Sequence, residues 1–227
     1  MEAAQRLSKA CDGLTFQHPV AHVYNPLSYA WDGQRQYIER FAYDPLPRPV
    51  LFVGMNPGPW GMGQTGVPFG DVDKVQAMGI EEIEVQQPAE PLDKRPVDGL
   101  DCHRNEVSGT RLYTGLQAVY GTLQEAYQHL FIVNYCPLLF YDEDARNLTP
   151  PRLRKADREA IFEVCQEHLI HLIEHFQPDH LVGIGKFAQR RANAALEAMG
   201  RDDEEAGYLL HPSPANPMAN KDGGAYW

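Results

Sequence analysis

The sequence predicts a three-layer α/β domain built on a parallel sheet, and three observations carry that expectation. Four short apolar runs are continuous rather than alternating, the pattern of strands buried on both faces. Segments of helical periodicity lie between them, so strand and helix take turns along the chain. At 227 residues the chain suits one such domain, with a core large enough to need no staples, and we read residues 1–227 as a single unit.

In chain order, a helical region around Tyr37 to Phe41 precedes the first strand, Pro49-Val50-Leu51-Phe52-Val53-Gly54-Met55. The stretch from Asp71 to Gly109 is polar and rich in Pro and Gly, with no core pattern beyond Ile80, Ile83 and Val85. It reads as a long excursion, part short helix and part loop. Gln117 to His129 has a helical pattern interrupted by Gly121, and Leu130-Phe131-Ile132-Val133 is the second strand. The clearest helix opens at Thr149, a good N-cap, with Pro150 at the first helical position. Leu153, Ala160, Ile161, Val164, Cys165, Leu169, Leu172, Ile173 and Phe176 then repeat at helical spacing until Pro178. His180-Leu181-Val182-Gly183-Ile184 is the third strand, a helix from Phe187 to Met199 ends at Gly200, and Gly207-Tyr208-Leu209-Leu210 is the fourth strand.

A formal net charge of −11 argues against a protein that coats nucleic acid through bulk electrostatics, but it leaves room for a local basic surface. Arg152, Arg154, Lys155 and Arg158 cluster in one segment and Lys186, Arg190 and Arg191 in another; both read as solvated helix faces unless they flank a site. The acidic runs Glu81-Glu82-Ile83-Glu84 and Asp202-Asp203-Glu204-Glu205 read as solvated loop. No apolar stretch reaches the roughly 18 to 20 residues of a membrane span, and the N-terminus lacks a signal core, so a cytoplasmic protein without membrane attachment is expected. Cys11, Cys102, Cys136 and Cys165 lack Cys-x-x-Cys spacing and read as reduced, structural thiols.

The residues directly beyond each strand are the informative ones. The first run leads into Asn56, the second into Asn134-Tyr135-Cys136-Pro137, the third into Gly185-Lys186 and the fourth into His211-Pro212. In a parallel sheet these ends share one edge, where α/β domains place their ligands. Two carboxamides and an imidazole would line one crevice, with Phe69 arriving on the loop Gly66-Val67-Pro68-Phe69-Gly70. An Asn can grip the amide-like edge of a pyrimidine, an aromatic ring can stack on it, and a His can donate to an oxygen on which charge develops. A second Asn can hold water, and together these parts suit hydrolysis of an N-glycosidic bond. Taken singly, each has a plainer reading: Asn56-Pro57 is also a turn starter, His211 a satisfied buried His, Phe69 core, Asn134 a backbone cap and Lys186 a solvated cation.

Taken together, they form a pattern. Gly54-Met55-Asn56-Pro57-Gly58-Pro59-Trp60-Gly61-Met62-Gly63-Gln64-Thr65-Gly66-Val67-Pro68-Phe69-Gly70 resembles the first motif of the single-strand-selective monofunctional uracil-DNA glycosylases. His211-Pro212-Ser213-Pro214-Ala215-Asn216-Pro217-Met218-Ala219-Asn220-Lys221 resembles their second, and the likeness runs from about His22 to Lys221, including Glu106-Val107-Ser108-Gly109 and Asn147-Leu148-Thr149-Pro150. The resemblance implies the uracil-DNA glycosylase fold, a four-stranded parallel sheet between helices. It implies that Asn56 positions the attacking water and His211 stabilises the leaving base. Asn134 would read the pyrimidine edge, Phe69 stack on the flipped base, Gly58 lie beside ring position 5, and Met55 and Pro59 line the same wall. Ser213, Ala215, Asn216, Met218, Lys221 and Lys186 would meet DNA. No metal or other cofactor and no Schiff base are implied, and we expect a monomer.

Two departures stand out. Where the family carries an Arg in the second motif this chain has Ala215, leaving Met218 as a candidate apolar wedge. After Lys221 the chain reads Asp222-Gly223-Gly224-Ala225-Tyr226-Trp227, where the family continues through Lys-Gly-Trp into a final helix. The function expected is removal of uracil, and of uracils substituted at ring position 5, from single- and double-stranded DNA, leaving an abasic site. The rival readings are a mismatch-directed thymine or uracil glycosylase and a non-catalytic nucleobase or nucleic-acid binding protein. The enzyme would sit in the cytoplasm with a bacterial nucleoid, or in a nucleus.

Overall fold

The computed structural model describes residues 1–42 and 49–224. It opens with α1 (Glu2–Asp12), β1 (His22–Tyr24), α2 (Pro26–Tyr29), α3 (Trp31–Phe41) and β2 (Val50–Gly54). Next come α4 (Met62–Thr65), α5 (Val72–Ala77), α6 (Val107–Tyr120), α7 (Leu123–His129), β3 (Leu130–Asn134), β4 (Leu139–Tyr141) and β5 (Asn147–Leu148). The remaining elements are α8 (Lys155–Phe176), β6 (His180–Ile184), α9 (Lys186–Ala198), β7 (Gly207–Leu209) and a 3-10 segment over Pro217–Gly224.

The four expected strands pair in one sheet, all parallel, in the order β3-β2-β6-β7. Register places Gly54 opposite Asn134, so the first motif leaves the sheet beside that carboxamide. Strand β3 lies at an edge, and its backbone there is covered rather than left open. The buried Tyr37 hydroxyl donates to Ile132 O at 2.8 Å and accepts from Ile132 N at 3.3 Å. Phe131 stacks against Tyr37 and Phe176 at centroid distances of 4.9 and 4.8 Å, which ties α3 and α8 to that edge. On the other side of the order, α9 packs on β6, β2 and β7.

Several expectations are corrected. The helix drawn from Thr149 is interrupted: Pro150–Arg152 form a 3-10 turn, Leu153 and Arg154 are extended, and the α-helix begins at Lys155. Two consecutive prolines withhold their donors, and burying Leu153 pulls the chain out of helical geometry before Asp157 accepts Gln17 N at 2.9 Å. The fourth strand is not covered on both faces. Gly207 and Tyr208 are exposed because β7 is a short strand at the sheet edge. The excursion after Asp71 ends earlier than read, since α6 begins at Val107, and Gly121 (φ +85°) separates α6 from α7. A second, antiparallel sheet of order β1-β4-β5 was not foreseen, nor was α1. All four cysteines are buried and free. The first basic cluster is a largely solvated face as expected, but Arg191 lies over the Phe162 ring at 5.0 Å. Of the tail from Asp222 to Trp227, where the sequence departs from the family pattern, residues 225–227 lie outside the described residues.

Candidate active site

The first motif keeps pairing with its neighbour past the end of the sheet. Tyr135 N donates to Gly54 O and Cys136 N to Met55 O, both at 2.9 Å. The half-buried Asn56 is thereby drawn beside the segment after β3, where its Nδ2 donates to Leu138 O at 3.2 Å and to Pro57 O at 3.4 Å. With both amide protons directed at backbone carbonyls, Oδ1 is the end free to accept.

Gly54 is where three groups converge. A Cβ there would overlap Asn134 Oδ1 and would lie 2.5 Å from Phe69 Cε2 and 2.8 Å from Cζ, so no side chain fits between carboxamide and ring. Asn134 is buried, its Nδ2 donates to Met62 Sδ at 3.3 Å, and its Oδ1 has no hydrogen-bond partner. Phe69 is held in the left-handed region at φ +59°, a conformation that costs a bulky residue about 1–3 kcal/mol. Its loop is clamped on several sides. Tyr113 Oη donates to Pro68 O at 2.6 Å, Thr65 Oγ1 donates to Gly70 O at 2.7 Å and accepts from Val67 N at 3.1 Å, and a Cβ on Gly109 would overlap the Phe69 carbonyl oxygen.

On the other wall, Gly185 N donates to Leu209 O at 2.8 Å, and His211 lies so close that a Cβ on Gly185 would be 3.1 Å from its Cβ and Cδ2. Ser213 N donates to His211 Nδ1 at 3.1 Å, which leaves the ring proton of the neutral imidazole on Nε2. Burial pushes His211 below its ordinary pKa, so the neutral form is favoured. The loop beyond is internally tied. Asn216 Nδ2 donates to His211 O at 3.0 Å, Ala215 N to Ser213 Oγ at 3.2 Å, Met218 N to Asn216 Oδ1 at 3.2 Å, and Asn220 Nδ2 to Pro214 O at 2.7 Å. That leaves Met218 54% exposed, with Ala215, Lys221 and Lys186 also at the surface.

Three participants escaped the sequence reading. Leu138 offers only a carbonyl, which no side-chain motif reveals. Arg111 donates from Nη1 to Pro212 O at 2.9 Å and from Nη2 to Asn220 Oδ1 at 3.0 Å. Because Gly109 presses on Phe69 and Arg111 grips the second motif, α6 links the two walls through residues two positions apart. Glu106, just before α6, turns its carboxyl under the first motif: a Cβ on Gly58 would overlap its Oε2. The segment Glu106-Val107-Ser108-Gly109 was conspicuous, but nothing in the one-dimensional order joins it to Gly58. Burial pushes the Glu106 carboxyl up, Asp71 adds to the rise, and the amides of Trp60 and Ser108 oppose it.

Comparison with known proteins identifies the family of the chain. A family model for the uracil DNA glycosylase superfamily matches residues 41–227. The chain is 41% identical over 222 residues to the single-strand selective monofunctional uracil-DNA glycosylase of Rattus norvegicus, covering 97% of this chain and 78% of that protein. The Mus musculus and Bos taurus proteins of the same name are 40% and 41% identical, covering 97% and 95% of this chain and 78% of each relative. Among solved structures, wild-type SMUG2 of Pedobacter heparinus superposes with a TM-score of 0.67 at 17% identity, over 99% of this chain and 93% of that one, a likeness of fold.

Proposed function

The chain belongs to the uracil DNA glycosylase superfamily, and from that premise we propose that its pocket hydrolyses the N-glycosidic bond of uracil in DNA and leaves an intact abasic site. The observation that carries the reading is the buried, unpartnered Oδ1 of Asn134 beside the Phe69 ring at Gly54. A buried carboxamide oxygen without a donor costs about 1–3 kcal/mol, a loss that the ring N3–H of a stacked uracil would remove. Cytosine presents an acceptor at that position and would leave the oxygen unpaired. Asn134 Nδ2, held only by a thioether, would exchange Met62 for the carbonyl at ring position 4.

The chemistry rests on the two walls. The nucleotide leaves the stack at a cost of a few kcal/mol, less where it is mispaired or single-stranded, so both single- and double-stranded DNA are substrates in this reading. As the bond from C1′ to N1 breaks, its electron pair moves onto the base, and His211 donates from Nε2 to the oxygen at ring position 2 that gains charge. Asn56, its Nδ2 tied to Leu138 O, uses Oδ1 to hold the water that adds to C1′, and the proton this water sheds passes to the departing uracil anion or to solvent. An amide is a poor base, so rate enhancement rests on the leaving group more than on activation of the water. Gly58 lies beside ring position 5 in this reading, and uracils substituted there belong to the proposed range. Residues 1–227 act in this reading as one monomeric domain, working without metal beside the cell's DNA.

At the DNA surface, Met218 replaces the missing cation of Ala215 as an apolar wedge, and Ser213, Asn216, Lys221 and Lys186 are the further DNA contacts of this reading. The experiment is direct: the protein is incubated with a labelled uracil oligonucleotide, and abasic sites are cleaved with alkali. Strand scission only after alkali supports a monofunctional glycosylase, binding without scission supports a non-catalytic binder, and preference for G·T over uracil supports a mismatch glycosylase.

A further inference from the structure

The two basic clusters of the sequence come to one edge of the sheet. Phe176, in the last turn of α8, stacks on Phe131 near the start of β3 at 4.8 Å, so the first turn of α8 opens at the carboxyl ends of the strands. Helix α9 opens at the same edge, since Lys186 comes just past the end of β6. Arg152 and Arg154 stand just before α8, Lys155 and Arg158 lie in its first turn, and Lys186 and Arg190 lie at the start of α9. The two helices are joined beside the candidate site. Arg191 lies over the Phe162 ring at 5.0 Å, Phe162 meets Phe187 at 5.6 Å, and the hydroxyl of Tyr135, one residue past Asn134, donates to Phe162 O at 2.9 Å. Across the edge, the second motif follows β7, Lys186 follows the neighbouring β6, and α8 packs beside α9.

Most of these cations are not neutralised. On a chain of net charge −11, Arg35, Arg146 and Arg201 each face a carboxylate. Among the described residues, Arg152, Arg154, Arg158, Lys186 and Arg190 face none, and of the six only Lys155 is paired, with Glu159 at 3.7 Å. Arg154 donates to Gln17 Oε1 at 3.0 Å and Arg158 to Pro151 O at 3.4 Å, both neutral acceptors. Asp157, in the same turn, is buried and accepts Gln17 N, so its charge is directed inward. We infer that this face is an extended DNA-binding surface: beyond the pocket, phosphates of the strand that carries the flipped nucleotide pass Lys186 and lie over Arg152, Arg154 and Arg158. The inference rests on the glycosylase reading, which brings DNA to the second motif. Guanidinium groups match phosphate oxygens with paired N–H donors, and a local surface of this sign attracts a polyanion although the whole chain is acidic.

The test measures affinity by fluorescence anisotropy for a labelled duplex carrying a stable abasic-site analogue, over a range of salt concentrations. The parent is compared with the triple variant Arg152→Gln, Arg154→Gln, Arg158→Gln and with the triple variant bearing Lys at the same positions. The Gln variant is expected to bind about tenfold or more weakly and to lower the slope of log affinity against log salt by about two to three. The Lys variant should recover most of the slope, because the slope counts charges that meet phosphate. A parental slope in the Gln variant overturns the inference, as does a lowered slope that Lys fails to restore. Failure of the parent to release uracil from an oligonucleotide overturns the glycosylase reading instead, and the slopes still decide whether this face binds DNA. Should the triple Gln variant fail to fold, Arg152→Gln alone, at an exposed side chain, is expected to lower the slope by about one, and no change overturns the inference.

Discussion

The Asn56 carboxamide nitrogen donates to the Leu138 carbonyl at 3.2 Å, and this one bond decides which end of the amide faces outward. It exists because pairing between the first motif and the segment after β3 continues past Gly54. Asn56→Ala removes the group proposed to orient water and two hydrogen bonds to backbone carbonyls, those of Leu138 and Pro57. Turnover is expected to fall by about a hundredfold or more, with stability reduced by about 1 kcal/mol. Single-turnover rates and urea unfolding of the same preparation check both, and a near-parental rate would remove Asn56 from the chemistry.

His211 gives a pH prediction with a definite sign. Burial lowers its pKa, so the folded protein keeps the imidazole neutral as pH drops through the ordinary value near 6.5. Protonation at Nδ1 would set an N–H against the Ser213 N–H that now donates to it at 3.1 Å. The rate should therefore hold steady on descending through pH 6.5 and decline only below it. The same group stabilises the fold less and less as pH falls further. A ring-proton titration of His211 by NMR is the check; a midpoint at or above 6.5 contradicts the assignment.

Gly109 should tolerate no side chain. Its Cβ would strike the Phe69 carbonyl oxygen, a backbone atom in a loop already clamped by Tyr113 and Thr65. Gly109→Ala is expected to cost about 1–3 kcal/mol and to raise KM for uracil DNA, since the displaced ring no longer stacks. Gly115→Ala, on the same helix with nothing within 4 Å of the added methyl, is the matched control and should be neutral or mildly stabilising. Equal melting temperatures and equal KM values in the two variants would defeat the argument.

Met218 stands 54% exposed on a loop that Arg111 holds at Pro212 and Asn220. A rigid loop with an apolar tip suits insertion into a base step. Met218→Ala should weaken binding to uracil-containing duplex several-fold while leaving single-stranded affinity near the parental value. Fluorescence anisotropy with both substrates reads the difference, and unchanged duplex affinity would remove the wedge.

How much of this was visible in the chain depends on how local each cause is. Three of the four parallel strands are continuous runs rich in Val, Leu, Ile and Phe, and that continuity marks them, while the fourth, Gly207–Leu209, is a short edge strand. The second sheet is built from segments as short as Asn147–Leu148, too brief to carry a pattern. Thr149-Pro150 has the composition of a helix start, yet Pro151 and the buried Leu153 turn the chain aside, a tertiary demand that outweighs local preference. Within the site, the residues that bear polar groups directly after strands stood out, because strand ends in such sheets are where ligands bind. Arg111 did not, nor did the placing of Glu106 under Gly58, since each meets residues far away in sequence and only the packing of α6 between the walls brings them there.

The most direct test of the central claim is release of free uracil, measured chromatographically in a single turnover from a uracil oligonucleotide, by the parent protein, Asn134→Ala and His211→Ala. One uracil per abasic site is expected in the parent, with strands intact until alkali is added, and losses of about a hundredfold or more in both variants. Uracil release at the parental rate by either folded variant, or none by the parent, would contradict it.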